Sequence, residues 1–328
     1  MNTVFIVPTG IGAEIGGHAG DAMPAANLIA SISNLMITHP NVYNASDINE
    51  IPANALYVEG SMLDNFLSGR HGLKKVFSNR ILVAVNAPVN PETINAVSAA
   101  RATLGANVSI VELETPLVME ARIENGLATG SIAGHKQLCQ QVSALEFDAL
   151  ALATSITFPS SESKKYFREG GVNPWGAVEA MASKLISSEL GKPVAHAPIE
   201  HEEMMLFNEV VDPRMAAEMV SLAYIHCVLK GLHKAPQIGD EIYSNDVDCL
   251  ITPAGCCGPP HMAFIAMGKP IIVVKENTTI GDEKIIYKNL IYVENYLEAA
   301  GVVAAIKAGI SIESLSRPLA STKVLYNA

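Results

Sequence analysis

The sequence predicts an α/β protein of two Rossmann-like lobes, with mostly parallel sheets, a central cleft and one β-hairpin insertion. Three observations predict it. Apolar runs of strand length alternate with longer helical patterns, the grammar of βα units on a parallel sheet. Of 328 residues, 49% are hydrophobic and only 17% charged, a balance that suits sheets buried on both faces. Two apolar strands also end in glycine-rich turns that open helices, and open α/β sheets bind ligands at that edge.

Taken in order, strands are expected at Val4–Val7, Leu35–Ile37, Ala55–Val58, Ile81–Val85 and Val108–Glu112. Helical patterns fall at Ala22–Ser33, Ser61–Ser68 and Pro91–Leu104. Leu117–Ile132 breaks the rhythm by alternating around Glu124-Asn125-Gly126, an Asn-Gly hairpin signal. A short helix at Lys136–Ser143 follows, then strands at Ala149–Thr154, Val194–Ala197, Cys249–Thr252, Ile271–Val274 and Ile291–Val293. Helices at Trp175–Glu189, Pro213–Gly231, Met262–Met267 and Asn295–Ala308 separate them. This reads as an N-terminal lobe over 1–135, carrying the first glycine-rich turn, and a C-terminal lobe over 136–328, carrying a Cys-Cys turn. A single wide sheet is the competing picture. Phe158–Asn173 and Asn277–Asp282 read as long polar loops, either lids or solvated surface.

Charge narrows the function classes. The net charge is −11 with no basic run, so no nucleic-acid partner is expected, because phosphate binding needs clustered Lys and Arg. No apolar stretch reaches the roughly 18–20 residues of a membrane span, and a strand begins almost at the first residue, which together predict a cytoplasmic protein with no membrane partner. The five cysteines do not read as a disulfide framework. Cys139, Cys227 and Cys249 sit in helix and strand patterns as small buried hydrophobes. The apolar Pro213–Gly231 segment needs more than one covered face, and a homodimer would supply it.

The first turn runs Pro8-Thr9-Gly10-Ile11-Gly12-Ala13-Glu14-Ile15-Gly16-Gly17-His18-Ala19-Gly20-Asp21. Five glycines allow close backbone approach and positive φ. Asp21 is a good N-cap for the next helix, with Pro24 in its first turn. Amides at a helix N-terminus suit a phosphate or carboxylate, so Thr9, Gly10, Gly12, Gly16, Gly17, His18 and Asp21 are candidate substrate contacts. The spacing is neither a P-loop nor a dinucleotide fingerprint; a glycine turn with no ligand is the plain alternative.

The second turn is Thr252-Pro253-Ala254-Gly255-Cys256-Cys257-Gly258-Pro259-Pro260-His261. The prolines fit a first helical turn and Gly258 permits an unusual backbone angle. A thiol at a helix N-terminus is expected to have a lowered pKa, and His261 beside it could exchange a proton. Cys256, Cys257 and His261 are therefore candidate catalytic residues, against ligand contact without bond-making or simple close packing. Thr252 and Gly258 belong to the same turn. The next strand delivers Lys275, Asn277 and Thr278 to the same edge as an anion-neutralising cation and two hydrogen-bonding groups. His39 and His196 stand at strand ends as further catalytic candidates, and Glu59 as a substrate contact. No cofactor is predicted. His196 and His201, with Glu200, Glu202 and Glu203, form the one crowd of imidazoles and carboxylates where a divalent metal would fit, although the spacing lacks the helical His-Glu-x-x-His pattern.

Several of these stretches together, Pro8–Gly12, Gly16–Asp21, Thr38–Asn41, Tyr57–Gly60, the Cys256-Cys257-Gly258 turn and Val274–Asn277, resemble an uncharacterised family, the proteins carrying domain of unknown function 3326. The likeness spans nearly the whole chain and implies a single unit, without an activity. Locally, Cys249–Thr279 (strand, glycine turn, helix, Gly268-Lys269-Pro270, strand) is similar to the donor-binding halves of glycosyltransferase-B proteins and sugar-nucleotide epimerases, where this turn holds a diphosphate.

The expected function is that of a small-molecule enzyme acting on an anionic, carboxylate or amide-like metabolite in the interlobe cleft. A cysteine at a helix N-terminus would be its nucleophile or acid–base group, in hydrolase, lyase or isomerase chemistry. The alternatives are a nucleotide or sugar-nucleotide enzyme with the Cys-Cys-Gly turn as phosphate cradle, and a non-catalytic metabolite-binding protein.

Overall fold

The computed structural model describes residues 1–43, 50–198, 210–217 and 224–324. Two parallel sheets carry the fold. The larger holds β1 (Asn2–Phe5), β2 (Leu35–Thr38), β3 (Ala55–Tyr57), β13 (Cys249–Pro253), β14 (Ile271–Val274) and β15 (Leu290–Val293), in the order β15-β14-β13-β1-β2-β3. The second holds β5 (Arg80–Asn86), β6 (Asn107–Leu113), β9 (Ala149–Thr154) and β11 (Val194–Pro198), in the order β11-β9-β5-β6. Every pairing within both sheets is parallel. The short strands β4 (Leu73–Lys74), β10 (Ile156–Thr157) and β12 (Gln237–Ile238) pair outside them, and the helix expected at Lys136–Ser143 is α4 (His135–Val142).

The α/β class and the mostly parallel sheets are as the alternating pattern predicts. The expected division at residues 135 and 136 needs correction. The chain starts in the larger sheet, leaves after β3 to build the second sheet, and returns at β13, which lies directly beside β1 with Thr3 opposite Cys249. Both halves of the sequence thus contribute to each sheet. Strand neighbours are chosen by non-local pairing, which alternation of apolar residues does not encode.

Burial explains the strands. β9, Ala-Leu-Ala-Leu-Ala-Thr, is buried throughout. Its alanines join one core cluster and its leucines the other, so helices cover both faces. Among those helices, α1 (Met23–Ile32) packs with α9 (Tyr296–Lys307), α2 (Gly60–Leu67) with α6 (Gly176–Leu190) and α8 (Pro259–Met267), and α3 (Pro91–Leu104) with α7 (Tyr224–His233). The α2–α6 contact joins the layers of the two sheets. The hairpin forms as read: β7 (Val118–Glu124) and β8 (Leu127–Ala133) pair antiparallel, with Asn125 at φ 53° and Gly126 at φ 80°, the left-handed angles of a type I′ turn. Its Ala128 N–H donates to Gly10 O at 3.1 Å, so the insertion braces the first glycine-rich turn.

Two expected loops differ. Most of Phe158–Asn173 is helix α5 (Ser160–Glu169), because Tyr166 and Phe167 bury their rings against Trp175. Asn277–Asp282 is irregular as expected, yet it is tied down: Glu14 N–H donates to Thr278 O and Ile280 N–H to Ile11 O, each at 2.9 Å. Of the expected Pro213–Gly231 helix, a 3-10 turn at Pro213–Met215 and the start of α7 are seen, and residues 218–223 lie outside the described residues. No helix among the described residues is long and apolar enough to cross a membrane.

Candidate functional site

The carboxyl ends of β1, β2, β3, β11 and β13 converge on a cavity of about 460 Å³, a size that suits a small-molecule ligand. The glycine-rich turn reaches it through Thr9 and Ile11, and the cysteine turn through Gly255–His261. The two turns do face one pocket.

Most of the first turn nevertheless serves itself. Asp21 does not cap α1, whose N-cap is Ala22 with no side-chain bond. Instead Asp21 Oδ1 accepts Gly16 N–H at 2.7 Å. Burial lifts this carboxyl to about 7, against the opposing pull of the Gly16 and His18 amides and of Arg214. Asn277 is wholly buried and reaches across from the loop after β14: its Oδ1 accepts Ile15 N–H at 2.9 Å, and its Nδ2 donates to Ile15 O at 2.8 Å and Tyr296 Oη at 2.7 Å. The Gly16 amide is therefore not free for a ligand, and Asn277 is a staple. Gly10, Gly12, Gly16 and Gly17 shape the loop behind the cavity wall. Gly10, Gly12 and Gly16 have φ of 74°, 60° and 87°, where glycine is favoured. A β-carbon on Gly176, in the first turn of α6, would overlap Thr9 Oγ1, so the loop and that helix start lie in contact. His18 is buried away from the cavity; its Nδ1 meets Tyr166 Oη at 2.7 Å, and burial with the nearby Arg214 guanidinium lowers its pKa to about 4.

The cysteine turn is a directed chain of hydrogen bonds. Gly258 N–H donates to His261 Nδ1 at 3.0 Å, which leaves the imidazole proton on Nε2 to face Thr252 Oγ1 at 2.9 Å. Thr252 Oγ1 stands 3.6 Å from Cys256 Sγ, whose S–H donates to Pro253 O at 3.5 Å. His261 is 1% exposed, its pKa lowered by burial to about 4. Neither of its nitrogens is free for a substrate. The expected lowering of thiol pKa does not occur. Burial pushes Cys256 up to about 11, and burial together with the Glu283 carboxylate raises Cys257 as well. Cys257 is the exposed thiol of the pair and lines the cavity. Pro259 and Pro260 carry no N–H, so α8 offers its dipole but few donors, which weighs against a diphosphate cradle. Gly258 is extended at φ −164°; the left-handed residue of the turn is Gly255 at φ 79°.

The other expected residues divide. His39 lines the cavity; its Nε2 accepts Val7 N–H at 3.1 Å, fixing the proton on Nδ1, and burial lowers its pKa to about 4. Glu59 caps α2, accepting from Ser61 N–H at 2.9 Å, Ser61 Oγ at 2.7 Å and Met62 N–H at 3.3 Å. His196 lines the cavity with Nδ1 at 3.0 Å from Glu179 Oε1 and Nε2 at 3.0 Å from Thr154 O. Lys275 is exposed, pairs with Glu294 and lies outside the cavity lining, as do Thr252 and Thr278. His201 and its neighbouring glutamates lie outside the described residues, and no group of three metal-ligating side chains occurs among those described.

Sequence reading missed Glu179, Trp175, Lys184, Asp64 and Tyr57, which also line the cavity. All but Tyr57 lie on helices α2 and α6 or at the start of α6, inside ordinary amphipathic patterns that give no local signal of function. Lys184 pairs with Asp64 at 3.1 Å across the α2–α6 contact.

Comparison with known proteins places this geometry in a sequence family. A family model described as "Protein of unknown function (DUF3326)" matches residues 2–316. The chain is also 35% identical, over 337 residues, to a protein of Synechococcus sp. described as an uncharacterized lipoprotein, covering 96% of this chain and 93% of that relative.

Proposed function

Because the chain belongs to the DUF3326 family, whose description carries no activity, we propose its function from the cavity itself: an enzyme that acts on a small anionic metabolite held between the two parallel sheets. The single observation that carries this reading is the convergence of the glycine-rich turn and the Cys256-Cys257 turn on one cavity at the carboxyl edges of both sheets. Three helix starts, those of α2, α6 and α8, also border it, and their dipoles favour negative charge. His39 presents a neutral imidazole with its proton on Nδ1, a donor for a substrate carbonyl or carboxylate. Cys257 is the exposed thiol in the cavity, and its raised pKa keeps it protonated near neutral pH. It acts as the acid–base group of hydrolase, lyase or isomerase chemistry, while Cys256 and His261 hold the turn. The protein works without a nucleic-acid partner in this reading, consistent with its net charge of −11.

The test is turnover of a panel of carboxylate and amide metabolites followed by NMR, with Cys257→Ser and Cys256→Ser compared. Loss of turnover in Cys257→Ser with an unchanged fold is expected. Full activity in both single variants and in the double variant would end the thiol mechanism. Tight binding without any turnover would identify a metabolite-binding protein, and strong thermal stabilisation by nucleotides alone would identify a nucleotide site.

A further inference from the structure

The cavity is acidic where the proposed substrate is anionic. Among the described residues, Glu59, Asp64, Glu179 and Glu283 line it, against one lysine, Lys184, already paired with Asp64. Glu59 spends both carboxylate oxygens on the start of α2. Glu179 differs: His196 Nδ1 holds Oε1 at 3.0 Å, and Oε2 has no hydrogen-bond partner among the described residues. The imidazole is itself fixed on its far side by Thr154, so the carboxylate is positioned by a rigid strand end. Near it stands Tyr57, at the carboxyl end of β3. It is among the residues that line the cavity and is 3% exposed, and its buried hydroxyl has no hydrogen-bond partner among the described residues. The ring is pressed against α7, where a β-carbon on Gly231 would stand 2.6 Å from Cζ. The Glu59 and Glu179 carboxylates lie near enough to join burial in raising the phenol's pKa. A buried hydroxyl left without a partner costs about 1–3 kcal/mol, so the free protein carries a group that a ligand would satisfy.

We propose that Glu179 Oε2 and Tyr57 Oη, one from each sheet layer, receive a protonated amine, so that the ligand is a small amino-bearing carboxylate and not a simple anion. This rests on the reading of the cavity as a site for an anionic metabolite and adds the second charge. The acidic wall takes the ammonium, and the helix starts with His39 take the carboxylate. Trp175 and the apolar side chains of Ile6, Ile11, Leu63 and Val228 pack the carbon skeleton between them. A simple anion would meet the free Oε2 of Glu179 at close range, whereas the ammonium of a zwitterion gives that oxygen a partner.

Matched pairs test this by calorimetry on the full chain: L-glutamate against 2-oxoglutarate, L-leucine against its 2-oxo acid, and L-aspartate against oxaloacetate. The amino member of at least one pair binds about 10-fold or more tightly than its oxo partner, the size of a charged hydrogen bond. Glu179→Gln, which retains an oxygen for His196, removes that preference. Tyr57→Phe weakens the amino member while raising the Tm of the free protein, a gain that a hydroxyl with a structural role would not give. Equal or tighter binding of the oxo acids, or failure of every amino member to bind, overturns the proposal. If Cys257-dependent turnover of an amine-free anion is found at the same time, the enzyme reading stands and the amine site alone is lost.

Discussion

Asn277 grips both backbone polar atoms of Ile15, accepting from Ile15 N–H at 2.9 Å and donating to Ile15 O at 2.8 Å. The side-chain amide thereby imitates a strand partner and joins the loop after β14 to the loop after β1, across 262 residues of sequence. Replacing it with alanine removes three hydrogen bonds, the part-buried pair to Ile15 and the buried one to Tyr296 Oη. A loss of about 3 kcal/mol is expected at roughly 1 kcal/mol per bond, read as a fall in denaturant midpoint at constant m-value.

The two adjacent thiols should react differently with iodoacetamide. Cys257 is exposed but its pKa is raised, and Cys256 is buried with a pKa of about 11. Thiolate is the reacting form. At pH 7.5, mass spectrometry should find slow labelling at Cys257 and none at Cys256 before unfolding, with the Cys257 rate still climbing at pH 9. A rate already at its plateau by pH 7 would show that the helix dipole dominates after all.

Asp21 gives a pH dependence with a definite sign. Its folded pKa of about 7 lies above its ordinary value of 3.8, so the native state holds the proton more tightly. Stability from this group is full at low pH and falls as pH rises from about 4 to about 7, by on the order of 4 kcal/mol. Asp21→Asn keeps an oxygen for Gly16 N–H and cannot ionise. Denaturation at pH 7.5 should show the variant more stable than the parent, with the two converging near pH 4.

Three histidines act in the opposite direction. His18, His39 and His261 are lowered from 6.5 to about 4, so the unfolded chain takes up protons first, and stability is lost as pH falls from about 6.5 to about 4. Asp21 offsets part of that loss in the parent. Asp21→Asn should therefore show a steeper acid limb between these values, checked by Tm against pH.

Two glycines separate backbone need from convenience. A β-carbon on Gly17 would overlap the carbonyl oxygen of Ala13, whereas one on Gly60 meets nothing within 4 Å. Gly17→Ala should cost at least the roughly 1–3 kcal/mol of an overpacked site, because backbone must move. Gly60→Ala, at the first position of α2, should gain about 0.4–1 kcal/mol from a stiffer unfolded chain. Thermal denaturation of the two variants decides it.

Local pattern was enough to place the elements: the strand at Ala149–Thr154, the helix at Pro91–Leu104 and the hairpin turn at Asn125-Gly126 all stand where it put them. Periodicity and turn chemistry are properties of a few consecutive residues, and burial of one face enforces them. It also brought Thr9, His39, Glu59, His196 and Cys257 to one cavity, since strand ends in a parallel sheet share an edge. Long-range packing set the rest: β13 pairs with β1, Asp21 turns back to Gly16, burial raises the pKa of both thiols of the cysteine turn, and Glu179 and Tyr57 join the site. Each of these depends on which distant groups arrive as partners and how completely water is removed around them, and neither is a property of a residue's own stretch of chain.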